Sequence, residues 1–264
     1  MKAAMDKLGN GFERWLALLA LALFVPVQTV RAGDGFAALL AQGDLAVARG
    51  DVAGAQKFYD AADRLDSTNG PELCHLTKGC CDLMHLIASP ALQESLARIA
   101  LTNAFRAEQA DPQSPTAHLC VAVCYVKNFP YAGNATKVRW SKAIKTECET
   151  AIALDPRQDV AYYLLGRWYF GVANMNFLLK GLVDIVYGAL PRATNEDAVR
   201  NFQKAIALAP NRIIDHFELA RAWAVMGESD RARSELEKCR ALKPVDRDDA
   251  DAQADALKLL ASRP

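Results

Sequence analysis

The chain has 264 residues, 52% of them apolar, and its acidic and basic side chains balance to a net charge of zero. That length and apolar content bury a sizeable core, which excludes a disordered chain, and the charge balance excludes the basic footprint of a nucleic-acid binder. Alanine and leucine predominate and runs of β-branched residues are few, so the expected class is all-α.

Residues 1–32 read as a secretory signal. Lys2, Lys7 and Arg14 precede the apolar run from Trp15 to Val25, and Pro26 interrupts it. Val30-Arg31-Ala32 then places small residues at the −3 and −1 positions of a cleavage site before Gly33. The run is about half of the roughly 20 residues that span a bilayer. The expectation is export, periplasmic or secreted, with residues 33–264 as one helical repeat domain. The alternative is an uncleaved leader that anchors the chain to a membrane.

From residue 55 onward one pattern returns in register: a small residue, a large one four positions later, a small one three further on, then a proline. Ala198, Phe202, Ala205 and Pro210 form one instance; Ala232, Leu236, Cys239 and Pro244 form the next. Their prolines stand 34 residues apart, the period of a tetratricopeptide (TPR) unit. Earlier copies are Ile144, Cys148, Ala151, Pro156 and Ala100, Ala104, Ala107, Pro112, with a degenerate first copy at Ala55, Tyr59, Ala62 and Ser67. Upstream of these lie the small crossing residues of the partner helices: Gly43, Gly79, Ala122, Gly166 and Ala220. Two antiparallel helices approach closely only where side chains are tiny, and proline ends the second helix because it lacks an N–H and clashes with the preceding turn. The spacing predicts a right-handed, TPR-like α-solenoid of about five helix pairs. Insertions of about 10, 10 and 20 residues enlarge units two to four, the largest being residues 171–193, apolar enough to form its own short helix. Residues 247–262 are expected to cap the array.

The segment from His118 to Leu260 resembles the regulator of microtubule dynamics family, TPR-like proteins of animals with bacterial relatives. Four features carry the likeness: Lys137 to Pro156 (KVRWSKAIKTECETAIALDP); Leu164-Leu165-Gly166-Arg167-Trp168; the long insertion ending in Pro191-x-Ala193-Thr194; and Ala198-x3-Phe202-x2-Ala205. The resemblance implies a helical-repeat fold with a binding groove, and links to microtubules and to mitochondria–endoplasmic reticulum contacts, with phospholipid binding in one member. An export leader sets this chain in another compartment, where an inherited fold and groove carry over and a microtubule role does not.

Catalytic motifs are not found: there is no nucleophile elbow, HExxH or phosphate-cradling glycine loop, so neither a catalytic residue nor a cofactor is expected. Seven cysteines follow the leader. Cys148 and Cys239 fall at core positions of the repeat; Cys74, Cys80, Cys81, Cys120 and Cys124 leave open a disulfide between neighbouring first helices, such as Cys81 with Cys120 or Cys124. Without a close CxxC or HxxxH pair, no metal site is expected.

A TPR array lines its concave face with the first helices. Counting from the crossing residue, the inward positions give the groove candidates Leu76, Leu83, Leu119, Val123, Tyr163, Arg167, Phe170, Phe217 and Arg221. The groove is therefore expected to be apolar in the middle, with Arg167 and Arg221 toward one end. These arginines either face an anionic partner or pair with local acids, Asp159 or Glu218 by proximity. The expected partner is a protein or peptide. The alternative is a phospholipid or other acyl-chain ligand in a groove roofed by the inserted segments.

Overall fold

The computed structural model describes residues 35–65 and 67–262; the leader and its expected cleavage site lie outside the described residues. Among the described residues there are twelve α-helices and no strand. They form antiparallel pairs: α1 (Phe36–Ala48) with α2 (Val52–Asp63), α3 (Gly70–Met84) with α4 (Pro90–Ala110), and α5 (Pro115–Asn128) with α6 (Asn134–Leu154). The fourth pair is α7 (Asp159–Ala173) with α9 (Asn195–Leu208), separated by the inserted α8 (Phe177–Tyr187). A fifth pair, α10 (Ile213–Val225) with α11 (Ser229–Ala241), precedes the capping helix α12 (Arg247–Ser262). The architecture is the α-solenoid that the repeat spacing predicts.

Local chemistry sets the helix ends. Asp51, Asn69, Ser114 and Thr194 accept backbone N–H bonds as N-caps, and Thr194 and Asp197 bond reciprocally as a capping box. At the other ends, Asp111, Asp155 and Ala209 leave the helical conformation just before Pro112, Pro156 and Pro210.

Every small-large-small triplet of the repeat is buried: Ala55, Tyr59 and Ala62 in the first unit are at most 2% exposed, and Ala198, Phe202 and Ala205 in the fourth are fully enclosed. The crossing glycines are equally specific. A Cβ added to Gly166 would lie 2.5 Å from the Phe202 ring. The Tyr59 ring is wedged between Gly43 and Gly79, at 2.3 and 2.5 Å from the corresponding added carbons, so one aromatic seals its own unit and the junction to the next.

The insertions are helical. In units two and three they lengthen the second helix at its start: α4 and α6 have 21 residues each, against 14 in α9 and 13 in α11. The longest forms α8, which rests on α6 and not across the first helices. Val183 is buried there and Lys142 of α6 donates to the Tyr187 and Gly188 carbonyls, at 3.3 and 3.2 Å. Gly188 turns the chain with φ +76°, which only glycine adopts without strain. Much of α8 faces outward, with Phe177 and Ile185 each 85% exposed.

Several hydrogen bonds tie the cap, among them two from Gln253 to the Cys239 and Leu242 carbonyls of the fifth unit. The cap's buried Asp249 accepts from the Ile214 N–H at 3.0 Å and the Val245 N–H at 3.3 Å, holding α12 to the start of α10. Arg247 donates to the His85 carbonyl at the end of α3, 3.0 Å away, so the last helix touches the second unit across 162 residues of sequence.

Candidate partner-binding groove

The first helices of units three to five present two adjoining clefts. The larger, about 570 Å³, lies between α5, α6 and α7 on a floor of Val126, Ile144, Leu164, Trp168 and Met175. Trp168 is fixed by donation from its Nε1 to the Ser141 carbonyl at 2.8 Å and to Ser141 Oγ at 3.0 Å. The smaller, about 220 Å³, lies between α5, α7, α10 and the start of α12. Val126, Leu164 and Arg167 belong to both, so the two meet at Arg167.

The smaller cleft is charged. Lys127, Arg167 and Arg212 face Asp159, Asp215 and Asp248 across it. Asp215 is only 3% exposed, and burial pushes its carboxyl up to about 7, with nearby Asp159 adding to the rise and Arg212 pulling against it. At one corner Lys127 donates to His85 Nε2 at 2.9 Å, which makes that nitrogen an acceptor and the imidazole neutral. Burial first, and then the Lys127 charge, hold His85 below its ordinary value.

The structure divides the nine groove positions read from the sequence. Leu76 and Leu83 are fully buried and offer no groove surface. Leu119 and Phe217 are half-buried and pack against the cores of the third and fifth units. Val123, Tyr163 and Arg167 line the clefts, while Phe170 and Arg221 line a third hollow of about 280 Å³ beside Leu259. The two arginines share one acid: Arg221 Nη1 donates to both Glu218 oxygens, at 3.0 and 2.8 Å, and Arg167 Nε lies 3.6 Å from the same carboxylate. Glu218 is buried between them, so one carboxylate serves both guanidinium groups. Arg167 also donates to the Tyr163 hydroxyl at 3.2 Å and Arg221 stacks on the Phe170 ring at 5.3 Å.

Val126, an inward position of the third unit by the same count, lines both clefts, whereas Leu164, Lys127 and Arg212 fall outside that count. Leu164 follows Tyr163 by one residue, so a wider stripe would have included it. The charged pair enters from helix ends, which the inward count does not sample. The disulfide that the sequence left open between neighbouring first helices is not formed: Cys81 meets Cys124, and Cys74 meets Cys120, as thiol pairs across the same two helices. All seven are free thiols.

This is the TPR type of helical-repeat fold, and solved structures agree. The chain superimposes on a thermophilic TPR protein of Thermus thermophilus with a TM-score of 0.59 at 18% identity, over 85% of this chain and 100% of that one. The family model described as regulator of microtubule dynamics protein 1-3 matches residues 39–263, and the chain belongs to that family. Among curated relatives, regulator of microtubule dynamics protein 2 of Macaca fascicularis is 28% identical over 69% of this chain and 44% of its own length. Regulator of microtubule dynamics protein 1 of Mus musculus is 26% identical over 84% of this chain and 73% of its own. The chain thus spans less than half of the macaque relative.

Proposed function

We propose that this chain is a non-catalytic scaffold that binds a protein or peptide segment in its concave groove. The observation that carries this reading is the meeting of the two clefts at Arg167, an apolar floor on one side and paired charges on the other. That arrangement suits a segment that buries one apolar side chain and sets a polar group beside it. The lining supports binding over chemistry: it includes no histidine or cysteine, and its serine, Ser141, is engaged by Trp168. Regulation of microtubule dynamics, which the relatives' names print, is not carried over, because the chain spans under half of the protein 2 relative.

The test is a steric block. Gly171 lines the larger cleft, and a Cβ added there meets nothing within 4 Å. Gly171→Trp should fill the cleft and leave the melting temperature unchanged. Peptides enriched on the full chain from a displayed random library are expected to lose binding to that variant, and to weaken on Arg167→Ala. No enrichment, or binders indifferent to Gly171→Trp, would defeat the reading.

A second reading, a hydrophobic ligand, is favoured by one observation. A further cleft of about 360 Å³ between α6 and α8 is lined by Val138, Leu182, Val183, Val186 and Leu190 and shares Phe129 and Met175 with the larger one. Native mass spectrometry separates the two: lipid that co-purifies with wild type and is absent from Gly171→Trp supports this second occupant.

A further inference from the structure

Two junctions between units are built from the same parts. In the third unit His118 stands six residues after Pro112; in the fifth, His216 stands six after Pro210. Each ring hands Nε2 to the proline carbonyl at 3.0 Å, and a carbonyl only accepts, so Nε2 carries the proton. Each Nδ1 therefore points at a glutamate on the second helix of its own unit: Glu147 Oε2 at 2.7 Å and Glu235 Oε2 at 2.6 Å.

The two junctions differ in what surrounds that pair. In the fifth unit Lys238 donates to Glu235 at 2.7 Å, and Ile206 occupies the place four residues before the proline. In the third unit Thr150 stands at the position of Lys238, and Glu108 stands at the position of Ile206. One cation has been removed and one carboxylate added. Glu108 Oε1 consequently lies 3.4 Å from His118 Nδ1, on the same nitrogen as Glu147. The three ligand atoms lie within 4.8 Å of one another, come from α4, α5 and α6, and form among the described residues a group able to hold a metal ion.

We propose that Glu108, His118 and Glu147 bind a divalent transition-metal ion of the zinc class at the junction of units two and three. Ligands 2.0–2.2 Å from zinc stand roughly 3–4 Å apart in a tetrahedral site, with a fourth position left for water; here Nδ1 stands 2.7 and 3.4 Å from the two carboxylates and all three atoms lie within 4.8 Å, so small side-chain shifts reach that spacing. The Pro112 carbonyl supplies the outer-shell hydrogen bond that metal-bound histidines characteristically make and keeps the proton on Nε2, so an ion arriving at Nδ1 displaces only the proton that Nδ1 shares with Glu147. Two carboxylates and a neutral imidazole neutralise the ion's two charges. His118 is 8% exposed, so the ion would sit inside the junction and not on a solvated acidic surface. The site shares no residue with the clefts and stands independently of the proposed groove function.

The experiment is calorimetric titration of the chelator-treated full chain with Zn²⁺ alone, alongside Glu108→Gln and Glu235→Gln. One equivalent is expected to bind wild type and Glu235→Gln, with affinity falling in Glu108→Gln by at least the roughly 10–100-fold that loss of even an outer-shell partner brings. Absence of binding, or binding indifferent to Glu108→Gln, overturns the proposal. Co²⁺ absorption of the wild-type chain decides the matter if Glu108→Gln fails to fold. A spectrum of nitrogen and oxygen ligands supports the site; a thiolate charge-transfer band assigns the metal to the cysteines and overturns it.

Discussion

At the scale of single residues, the crossing glycines carry more of the fold than their size suggests. Gly166 and Gly171 share helix α7 and differ only in what faces them: the Phe202 ring at 2.5 Å in one case, nothing within 4 Å in the other. Gly166→Leu is expected to cost about 1–3 kcal/mol or more, because Phe202 is fully enclosed and cannot yield. Gly171→Ala should instead raise stability by roughly 0.5–1 kcal/mol, the usual gain from removing a glycine inside a helix. Thermal melts of the two variants check both signs; equal melting temperatures would place the crossing elsewhere. This contrast was half legible in the sequence. The repeat register singles out Gly166, Gly79 and Gly43, together with Ala122 and Ala220, since only the smallest residues fit where two helices touch. Nothing in the register says that Tyr59 serves two crossings at once, because that depends on how one unit leans on the next.

At the scale of helices and their junctions, the histidines act as bolts between units. Burial alone would lower the His216 pKa, but hydrogen bonds to Glu235 and to the Pro210 carbonyl, with the Glu235 charge, raise it above 6.5. A raised histidine stabilises the fold fully below the unfolded value and loses that contribution as pH climbs through the folded one. His216→Gln is therefore expected to cost on the order of 1.5–3 kcal/mol at about pH 5.5, the range for hydrogen bonds to charged groups, and distinctly less near pH 9. Urea unfolding of wild type and variant at both pH values measures the gap; a constant gap would show the ring to be neutral throughout. The spacing Pro-x5-His occurs twice in plain sight in the sequence. Its partners do not, because Glu147 follows His118 by 29 residues and Glu235 follows His216 by 19, and only the folded α5 and α6 reveal that a ten-residue lengthening preserves the same contact. The arginines of the groove are the opposite case, since their partner stands close by in the sequence. Arg167 and Arg221 were read as a doublet, and the buried Glu218 between them was one of the acids their sequence neighbourhood offered.

At the scale of the whole array, five units and a cap are legible from periodicity alone, since each unit depends only on its neighbours. The contact between α12 and α3 is not, because it arises from the accumulated rotation of every unit between them. By itself the hydrogen bond from Arg247 to His85 contributes only about 1 kcal/mol. Its effect on cooperativity is larger than its energy, because it joins elements that a linear array would let fray apart. Hydrogen exchange of Arg247→Ala should show faster opening both in α12 and at the end of α3, while a purely linear array would loosen at α12 alone. A further consequence concerns how such a chain can change over generations. An open stack gains or loses a unit at either end and still folds, but a stack whose last helix must land on His85 has its unit count set by that landing. Inserting or deleting one 34-residue unit between α4 and α10 is expected to carry Arg247 past its acceptor, so this contact ties the cap to one particular number of repeats.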